Sequence, residues 1–443
     1  MSSQKVFILT LGCRLNQAES LKLKGLATEK GFTVVSNDCE ADIFILNSCS
    51  VTDKAQRDTE KTLRKFHERW PEKTLVVIGC GARKEYEKYG EVVLNKEKME
   101  LFDKISKDKG EQKKEQKDYS VKTRLMYKVQ DGCNNFCSYC IVPYLRGRES
   151  SLKAEDIVNE LKGAEKDGFK EVVLCGVNIG RWGSDRNAGD VGSGGNDKTI
   201  NSNERSDSTF PAKGLSLADL IEKILEKTTF PRIRLSSINP DDFSDDLVAL
   251  WSRNDRLCPH FHISLQSGSD TVLERMGRKY NTHDYADLVA KLRKNIKDVM
   301  ITTDIIVGFP GETEDEFAET VEFIKKMEFL KVHVFRYSPR YGTLASKMPD
   351  QVSEKIKKER AVKLQALESE IRQKILRGYI GKEVEVLFEQ VRPLSSSGST
   401  RGSVSSGFTP NYIKVSKKGD KSLENKVIKV KIRDAGKNEL FSY

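Results

Sequence analysis

The sequence contains no apolar run long enough to span a membrane, so a helical membrane protein is not expected. Its first residues, Met1-Ser2-Ser3-Gln4-Lys5-Val6-Phe7-Ile8-Leu9-Thr10, lack the apolar core and small-residue cleavage site of a secretory signal. They read instead as a first strand, and the chain is expected in the cytoplasm. In that compartment its nine cysteines are not expected to form a disulfide framework, and metal or redox chemistry becomes the leading reading. A zinc pattern is missing too. Cys133, Cys137 and Cys140 stand at C-x3-C-x2-C spacing with no second cysteine pair nearby and no histidine in the loop. Structural zinc sites usually fill all four positions. What this loop lacks is a fourth ligand.

What is present is an ordinary globular composition, 37% hydrophobic and 32% charged. At 443 residues, two or three domains are expected. The formal charge of +10 is a mild signal for a polyanionic partner, and residues 381–443 carry 12 Lys and Arg against 7 Asp and Glu. That segment alone therefore holds half of the net charge.

Apolar runs and helical patterns alternate along the chain. Runs at 6–11, 42–46 and 74–78 are followed by helical patterns at 17–30, 53–70 and 83–88, which predicts a small parallel α/β domain. Residues 104–118 are almost all charged or polar and read as a linker. A longer alternation follows, with strands expected at 125–129, 171–174, 232–236, 260–265, 300–307 and 331–337. Helical stretches at 151–166, 215–227 and 313–327 lie between them. Six such units predict a partial (β/α)6 barrel. The stretch 183–213, rich in Gly, Ser, Asn and Asp, reads as a flexible insert. A long helix is expected over 351–378, then short β-type runs at 383–388, 411–415 and 426–432. These predict a small all-β barrel, a common RNA-binding form. The fold class is thus α/β, divided as 1–118, 119–377 and 378–443.

Cysteine thiolates in closely spaced runs hold iron–sulfur clusters, and three ligands leave one iron open. Cys13, Cys49 and Cys80 form a second set, each just after a predicted strand of the first domain. In a parallel sheet all strand C-termini share one edge, so these distant thiols are expected to converge. Cys39, Cys175 and Cys258 show no such pattern and read as small apolar fillers.

The run Gly132-Cys133-Asn134-Asn135-Phe136-Cys137-Ser138-Tyr139-Cys140 resembles the cluster motif of radical S-adenosylmethionine (SAM) enzymes. With Thr10-Leu11-Gly12-Cys13-Arg14-Leu15-Asn16, Asn47-Ser48-Cys49-Ser50-Val51-Thr52 and Gly79-Cys80, the chain resembles the methylthiotransferases. Ile141-Val142-Pro143-Tyr144-Leu145-Arg146-Gly147-Arg148, Gln266-Ser267-Gly268-Ser269 and Asp304-Ile305-Ile306-Val307-Gly308-Phe309-Pro310-Gly311-Glu312-Thr313 match as well, and residues 378–443 resemble a TRAM domain.

The resemblance implies two [4Fe-4S] clusters. One, on Cys133, Cys137 and Cys140, would bind S-adenosyl-L-methionine at its open iron and generate a 5′-deoxyadenosyl radical. The other, on Cys13, Cys49 and Cys80, would carry the sulfur to be methylated and inserted. It further implies cofactor contacts at Tyr139, Gly176, Ser237, Gln266 and Gly308, although Gly176-Val177-Asn178 replaces the wider superfamily's Gly-Gly-Glu. The implied partners are a tRNA anticodon stem-loop, a sulfur source and an electron donor such as a flavodoxin or ferredoxin. Asn16-Gln17-Ala18-Glu19-Ser20, His333-Val334-Phe335 and Gly407-Phe408-Thr409-Pro410-Asn411-Tyr412-Ile413-Lys414-Val415 look most like the threonylcarbamoyladenosine branch. The alternatives are isopentenyl-adenosine in tRNA, an aspartate of a ribosomal protein, or an iron–sulfur RNA-binding protein without catalysis.

Overall fold

The computed structural model describes residues 3–95, 97–105, 123–185, 215–393, 403–419 and 421–443. The linker expected over 104–118 lies outside them from residue 106, and the insert expected over 183–213 lies outside them from residue 186. The division read at 118/119 also falls outside, whereas the one at 377/378 meets the end of a long helix.

The N-terminal part is a parallel sheet of β1 (Lys5–Thr10), β2 (Thr33–Val34), β3 (Ile43–Ser48), β4 (Thr74–Gly79) and β5 (Glu91–Val92), in the order β2-β1-β3-β4-β5. The middle strands carry apolar residues on both faces because both faces are covered. Ile43 and Ile45 of β3 meet Leu23 and Ala27 of helix α1 (Arg14–Glu29) on one face. Phe44 and Leu46 meet Leu63 and Phe66 of α2 (Asp53–Arg69) on the other. The helix expected at 83–88 is only a 3-10 turn, Lys84–Tyr86. A short α3 (Leu101–Ile105) adds Leu101 and Phe102 to the first face.

The central part is an arc of parallel strands. β6 (Arg124–Lys128) is followed by a two-strand ribbon of β7 (Gln130–Asp131) and β8 (Ser150–Ser151), with α4 (Val142–Arg146) between them. The helical pattern read from residue 151 begins only at α5 (Ala154–Lys166), because Ser150 and Ser151 pair in this ribbon. Then come β9 (Glu171–Cys175), α6 (Leu217–Lys227), β10 (Arg232–Leu235) and β11 (Ser237–Ile238). They are followed by α7 (Asp245–Ser252), β12 (His260–Ile263), α8 (Asp270–Arg275), α9 (Thr282–Asn295), β13 (Met300–Val307), α10 (Glu314–Met327), β14 (Lys331–Arg336) and α11 (Glu354–Arg377). The ladder β6-β9-β10 passes to β11-β12-β13-β14 at Ser236, where one sequence strand becomes two short ones. Helices α6, α9 and α10 each open on a capping box, Ser216/Asp219, Asn281/Asp284 and Thr313/Glu316. Among the described residues no ladder joins β14 back to β6, so the barrel is partial. Leu15 of α1 packs on Val173 and Cys175 at this open side. Cys175 and Cys258 are buried as expected, but Cys39 is exposed, since its turn at Asp38–Glu40 lies outside every core cluster.

The C-terminal part is a curled sheet of β15 (Glu383–Pro393), β16 (Ser403–Phe408), β17 (Lys414–Lys418), β18 (Val427–Lys431), β19 (Asp434–Ala435) and β20 (Leu440–Ser442), in the order β18-β15-β16-β17-β20-β19. A register shift between Phe388 and Gln390 bends β15. The stretch 407–415 is turned inward against the N-terminal ends of the barrel strands. Tyr412, at φ +70°, stacks on Phe408 with centroids 4.9 Å apart and accepts a 2.9 Å hydrogen bond from Arg14. Arg234 lies 4.7 Å from its ring centroid. Buried Glu171 gathers Arg234 at 2.8 Å and Arg124 at 3.0 Å, and Arg232 bridges onward to Glu385 of the curled sheet at 2.9 Å.

Candidate active site between two thiol sets

Cys13, Cys49 and Cys80 follow three adjacent strands, β1, β3 and β4, at one edge of the sheet. Their loops are clamped by buried polar side chains. Asn16 donates to Leu11 O at 2.9 Å and Ser48 O at 3.0 Å, and Asn47 donates to Asn16 O at 3.0 Å. Ser50 donates to Cys80 O at 2.9 Å. Close approach needs glycine: at Gly12, φ +110°, a Cβ would stand 2.5 Å from the Cβ of Cys49. Cys49 feels the charges of both Cys13 and Cys80.

The second thiol loop leaves β7 at Gly132, φ +69°, where a Cβ would strike Arg148 O at 1.9 Å. Ser138 anchors the loop to α8 and the turn after it, donating to Arg275 O and Met276 O at 2.9 Å each. Arg278 donates to Cys137 Sγ at 3.3 Å. Burial pushes the thiol of Cys133 up to about 11 and that of Cys140 to about 12, and it raises Cys49 to about 11 and Cys80 in the same direction. Metal loading would therefore release protons.

All nine cysteines are free. Among the described residues the group whose ligand atoms all lie within 4.8 Å of one another is His262, Asp304 and His333, so neither thiol triad is that tight. A zinc ion bonds sulfur at about 2.3 Å and holds its sulfurs roughly 4 Å apart. Each triad is too open for one such ion and leaves room for a larger iron–sulfur group.

A cavity of about 190 Å³ lies between the two sets. Val51 and Thr52, just past Cys49, form one end, and Tyr139, Cys140, Ile141 and Val142 form another. Gln266, Asp304, Ile306 and the stretch from Phe335 to Arg340 close the barrel side. Of the residues read from the sequence, the cavity brings together Tyr139, Cys140 and Gln266. Gln266 is held at φ +74° by pairing with β13. Gly176 and Ser237 stand at neighbouring strand ends outside the lining, where the Gly176 N–H donates to Ser236 Oγ at 3.4 Å. Gly308 faces away: a Cβ there would meet Lys357 Cγ of α11 at 2.3 Å. Asn178 spends its side chain on Glu149 (3.1 Å) and Asn239 (2.8 Å), so Glu149 supplies the carboxylate beside this turn.

Arg146, within the motif at 141–148, has a role that the motif alone does not reveal. Its Nε donates to Cys80 Sγ at 2.8 Å, and Nη1 reaches both Glu19 and Asp131 at 2.9 Å. Lys98 and Lys128 bind the same buried Glu19, at 2.6 and 3.3 Å. Three cations face two carboxylates, so a Cys80 thiolate would complete the balance. Burial opposes the charge on Glu19, yet Arg146 and Lys98 hold its carboxyl below the usual range. The signal was available: an arginine six residues past Cys140 and a glutamate six past Cys13.

The Radical SAM superfamily matches residues 127–324, and an uncharacterized protein family, UPF0004, matches residues 5–101. The chain is 37% identical to the threonylcarbamoyladenosine tRNA methylthiotransferase MtaB of Thermotoga maritima, over 87% of this chain and 86% of that one. It is 33% identical to the tRNA-2-methylthio-N(6)-dimethylallyladenosine synthase of Acetivibrio thermocellus, over 97% and 88%. In fold it resembles TsrM, a radical S-adenosylmethionine methyltransferase from Kitasatospora setae, with TM-score 0.52 and 12% identity over 78% and 74% of the chains. Read with the two thiol sets and the partial barrel, these matches show that the chain belongs to the radical S-adenosylmethionine tRNA methylthiotransferases, enzymes that use S-adenosylmethionine and two [4Fe-4S] clusters.

Proposed function

We propose that the protein replaces the C2 hydrogen of N6-threonylcarbamoyladenosine, beside the tRNA anticodon, with a methylthio group. The observation that carries this reading is the cavity of about 190 Å³ lined by Cys140 of one thiol set and by Val51 and Thr52, just past Cys49 of the other. Cys133, Cys137 and Cys140 are assigned to the radical-generating cluster, and Cys13, Cys49 and Cys80 to the sulfur-carrying one. When bound, the clusters and S-adenosylmethionine supply the 5′-deoxyadenosyl radical, the sulfur and the methyl group. The chain's own residues orient and enclose. Arg278 and Arg146 hold Cys137 and Cys80 through their sulfurs. Tyr139 and Gln266 border the space for the adenosyl group, Gly176 and Ser237 extend its rim, and Gly308 shapes the turn behind it. Val51, Ile141, Val142, Ile306 and Phe335 keep water from the reacting atoms.

The substrate choice rests on the cavity wall. Arg336, Ser338 and the buried Arg340 line it. With Asp304 they make the wall polar, and a substituent rich in hydrogen-bonding atoms can use such groups, whereas an isopentenyl group offers them no polar atom. Exposed Lys418, Lys426, Lys429, Lys431 and Arg433 on the curled sheet supply a basic face that fits a phosphate backbone. An RNA-binding protein without catalysis would have no use for a cavity between two thiol loops.

The test is mass spectrometry of tRNA nucleosides from cells lacking the gene. The methylthio derivative of threonylcarbamoyladenosine is expected to vanish. Its persistence alongside loss of the isopentenyl derivative would overturn the substrate choice. Reconstituted protein with intact clusters that releases no 5′-deoxyadenosine under reductant would overturn the enzyme reading.

A further inference from the structure

The cavity does not end on apolar side chains. Asp304 lines it, and its register partner across the β13–β14 ladder is His333. Successive strand residues rise about 3.3 Å. Asp304 and His333 therefore lie roughly 7 Å further from the thiol loops than Ile306 and Phe335, two residues along the same strands. Asp304 is held in place by His262, whose Nε2 stands 3.0 Å from its carboxylate. His262 Nδ1 is fixed in turn by Thr302 at 2.9 Å, and Thr302 also meets His260 Nε2 at 3.2 Å. These bonds leave Asp304 with acceptor capacity toward the cavity. His333 is exposed, its ring lies 5.6 Å from that of His262, and among the described residues no hydrogen bond reaches it. Both nitrogens are thus available to a ligand.

A carboxylate in the wall, with an imidazole beside it at the edge of the groove between β14 and α11, is selective. In adenine, C2 and C6 both flank N1, and the C2–H and C6–N6 bonds diverge at an obtuse angle. An adenosine that turns C2 toward the thiol loops at the strand C-termini can therefore send its N6 substituent obliquely back along the strands, toward Asp304 and His333. An isopentenyl substituent would strip water from a carboxylate and an imidazole and replace none of their hydrogen bonds. A threonylcarbamoyl substituent brings N–H and hydroxyl donors together with carbonyl and carboxylate acceptors. We propose that Asp304 and His333 form the subsite for the polar N6 substituent, Asp304 accepting from its N–H or hydroxyl and His333 donating to its carbonyl or carboxylate oxygen. Burial works against a charge on Asp304, but His262 keeps its carboxyl below the usual range, which suits an acceptor. The inference rests on the functional reading above and names the residues that make the choice.

The experiment offers the reconstituted enzyme two synthetic anticodon stem-loops, one carrying threonylcarbamoyladenosine and one isopentenyl-adenosine. KM and kcat for each are read by mass spectrometry. H333F is expected to raise KM for the threonylcarbamoyl RNA at least tenfold and to narrow its preference over the isopentenyl RNA. H333Q, which keeps a donor, is expected to retain most of the preference, and D304N to lose it as H333F does. Iron content and melting temperature report whether each variant folds and loads. A wild-type enzyme that prefers the isopentenyl RNA overturns the functional reading and the subsite together. A wild type that prefers the threonylcarbamoyl RNA, with H333F and D304N unchanged in preference, overturns the subsite alone. One zinc or manganese per wild-type chain, lost in H333F, would overturn it in favour of a metal site.

Discussion

At the scale of single residues, Arg146 does the most for the site. It joins the segment after Cys140 to the sulfur of Cys80 through one planar group, with Glu19, Asp131 and Asn16 sharing its donors. Removing it leaves buried Glu19 to Lys98 and Lys128, and half-buried Asp131 to Lys128. Arg146→Met is expected to cost about 1.5–3 kcal/mol in urea denaturation, the range for losing hydrogen bonds to charged groups. It should also lower iron below the roughly eight atoms per chain of two four-iron clusters. Arg146→Lys keeps the charge and loses the fork, so an intermediate result is expected in both measurements. The placement of Cys13, Cys49 and Cys80 at one sheet edge was legible in the sequence because each follows an apolar strand run. Arg146 was not, because its partners lie 15 to 130 residues away and nothing local marks the pairing.

At the scale of elements, parallel strands were easy to read. Burial on both faces makes runs such as 43–46 and 75–78 continuous. The break at Ser236 was hidden, because one apolar run serves two ladders there. The inward turn of residues 407–415 was hidden too, because the same residues would suit an exposed RNA-binding loop. Its role follows from the contacts: Phe408 and Tyr412 fill the lower barrel among Arg14, Arg124 and Arg234. Tyr412→Ala is expected to destabilise the protein by about 3–5 kcal/mol, in the range for deleting a large aromatic side chain. Tyr412→Phe removes only the hydrogen bond from Arg14 and should cost about 1.5–3 kcal/mol. Denaturant midpoints of the two variants separate ring from hydroxyl, and faster proteolysis past α11 in the alanine variant would report a loosened curled sheet.

At the scale of the whole molecule, the barrel and the curled sheet meet around Glu171. Burial alone would raise its carboxyl, but Arg234, Arg124 and Arg232 override burial and hold it at about 2. Its unfolded value is about 4.5. The folded value is the lower one, so Glu171 contributes stability above about pH 4.5 that is lost as pH falls through about 2. Denaturation of the metal-free protein between pH 6 and pH 2 should show this slope (roughly 1.4 kcal/mol per unit of pKa difference). Glu171→Gln should flatten it while lowering stability at neutral pH, as expected when one partner of a buried ionic group is removed. The contact from Arg14 to Tyr412 spans 398 residues through the barrel. It can form only once residue 412 has left the ribosome, and its closure entropy belongs to a very long loop. Until then the N-terminal sheet and the barrel rest on contacts of their own, Leu15 on Val173 and Arg146 on Cys80 and Glu19. Arrival of Tyr412 is the step that closes the lower barrel, so Arg14 waits for a partner made long after it.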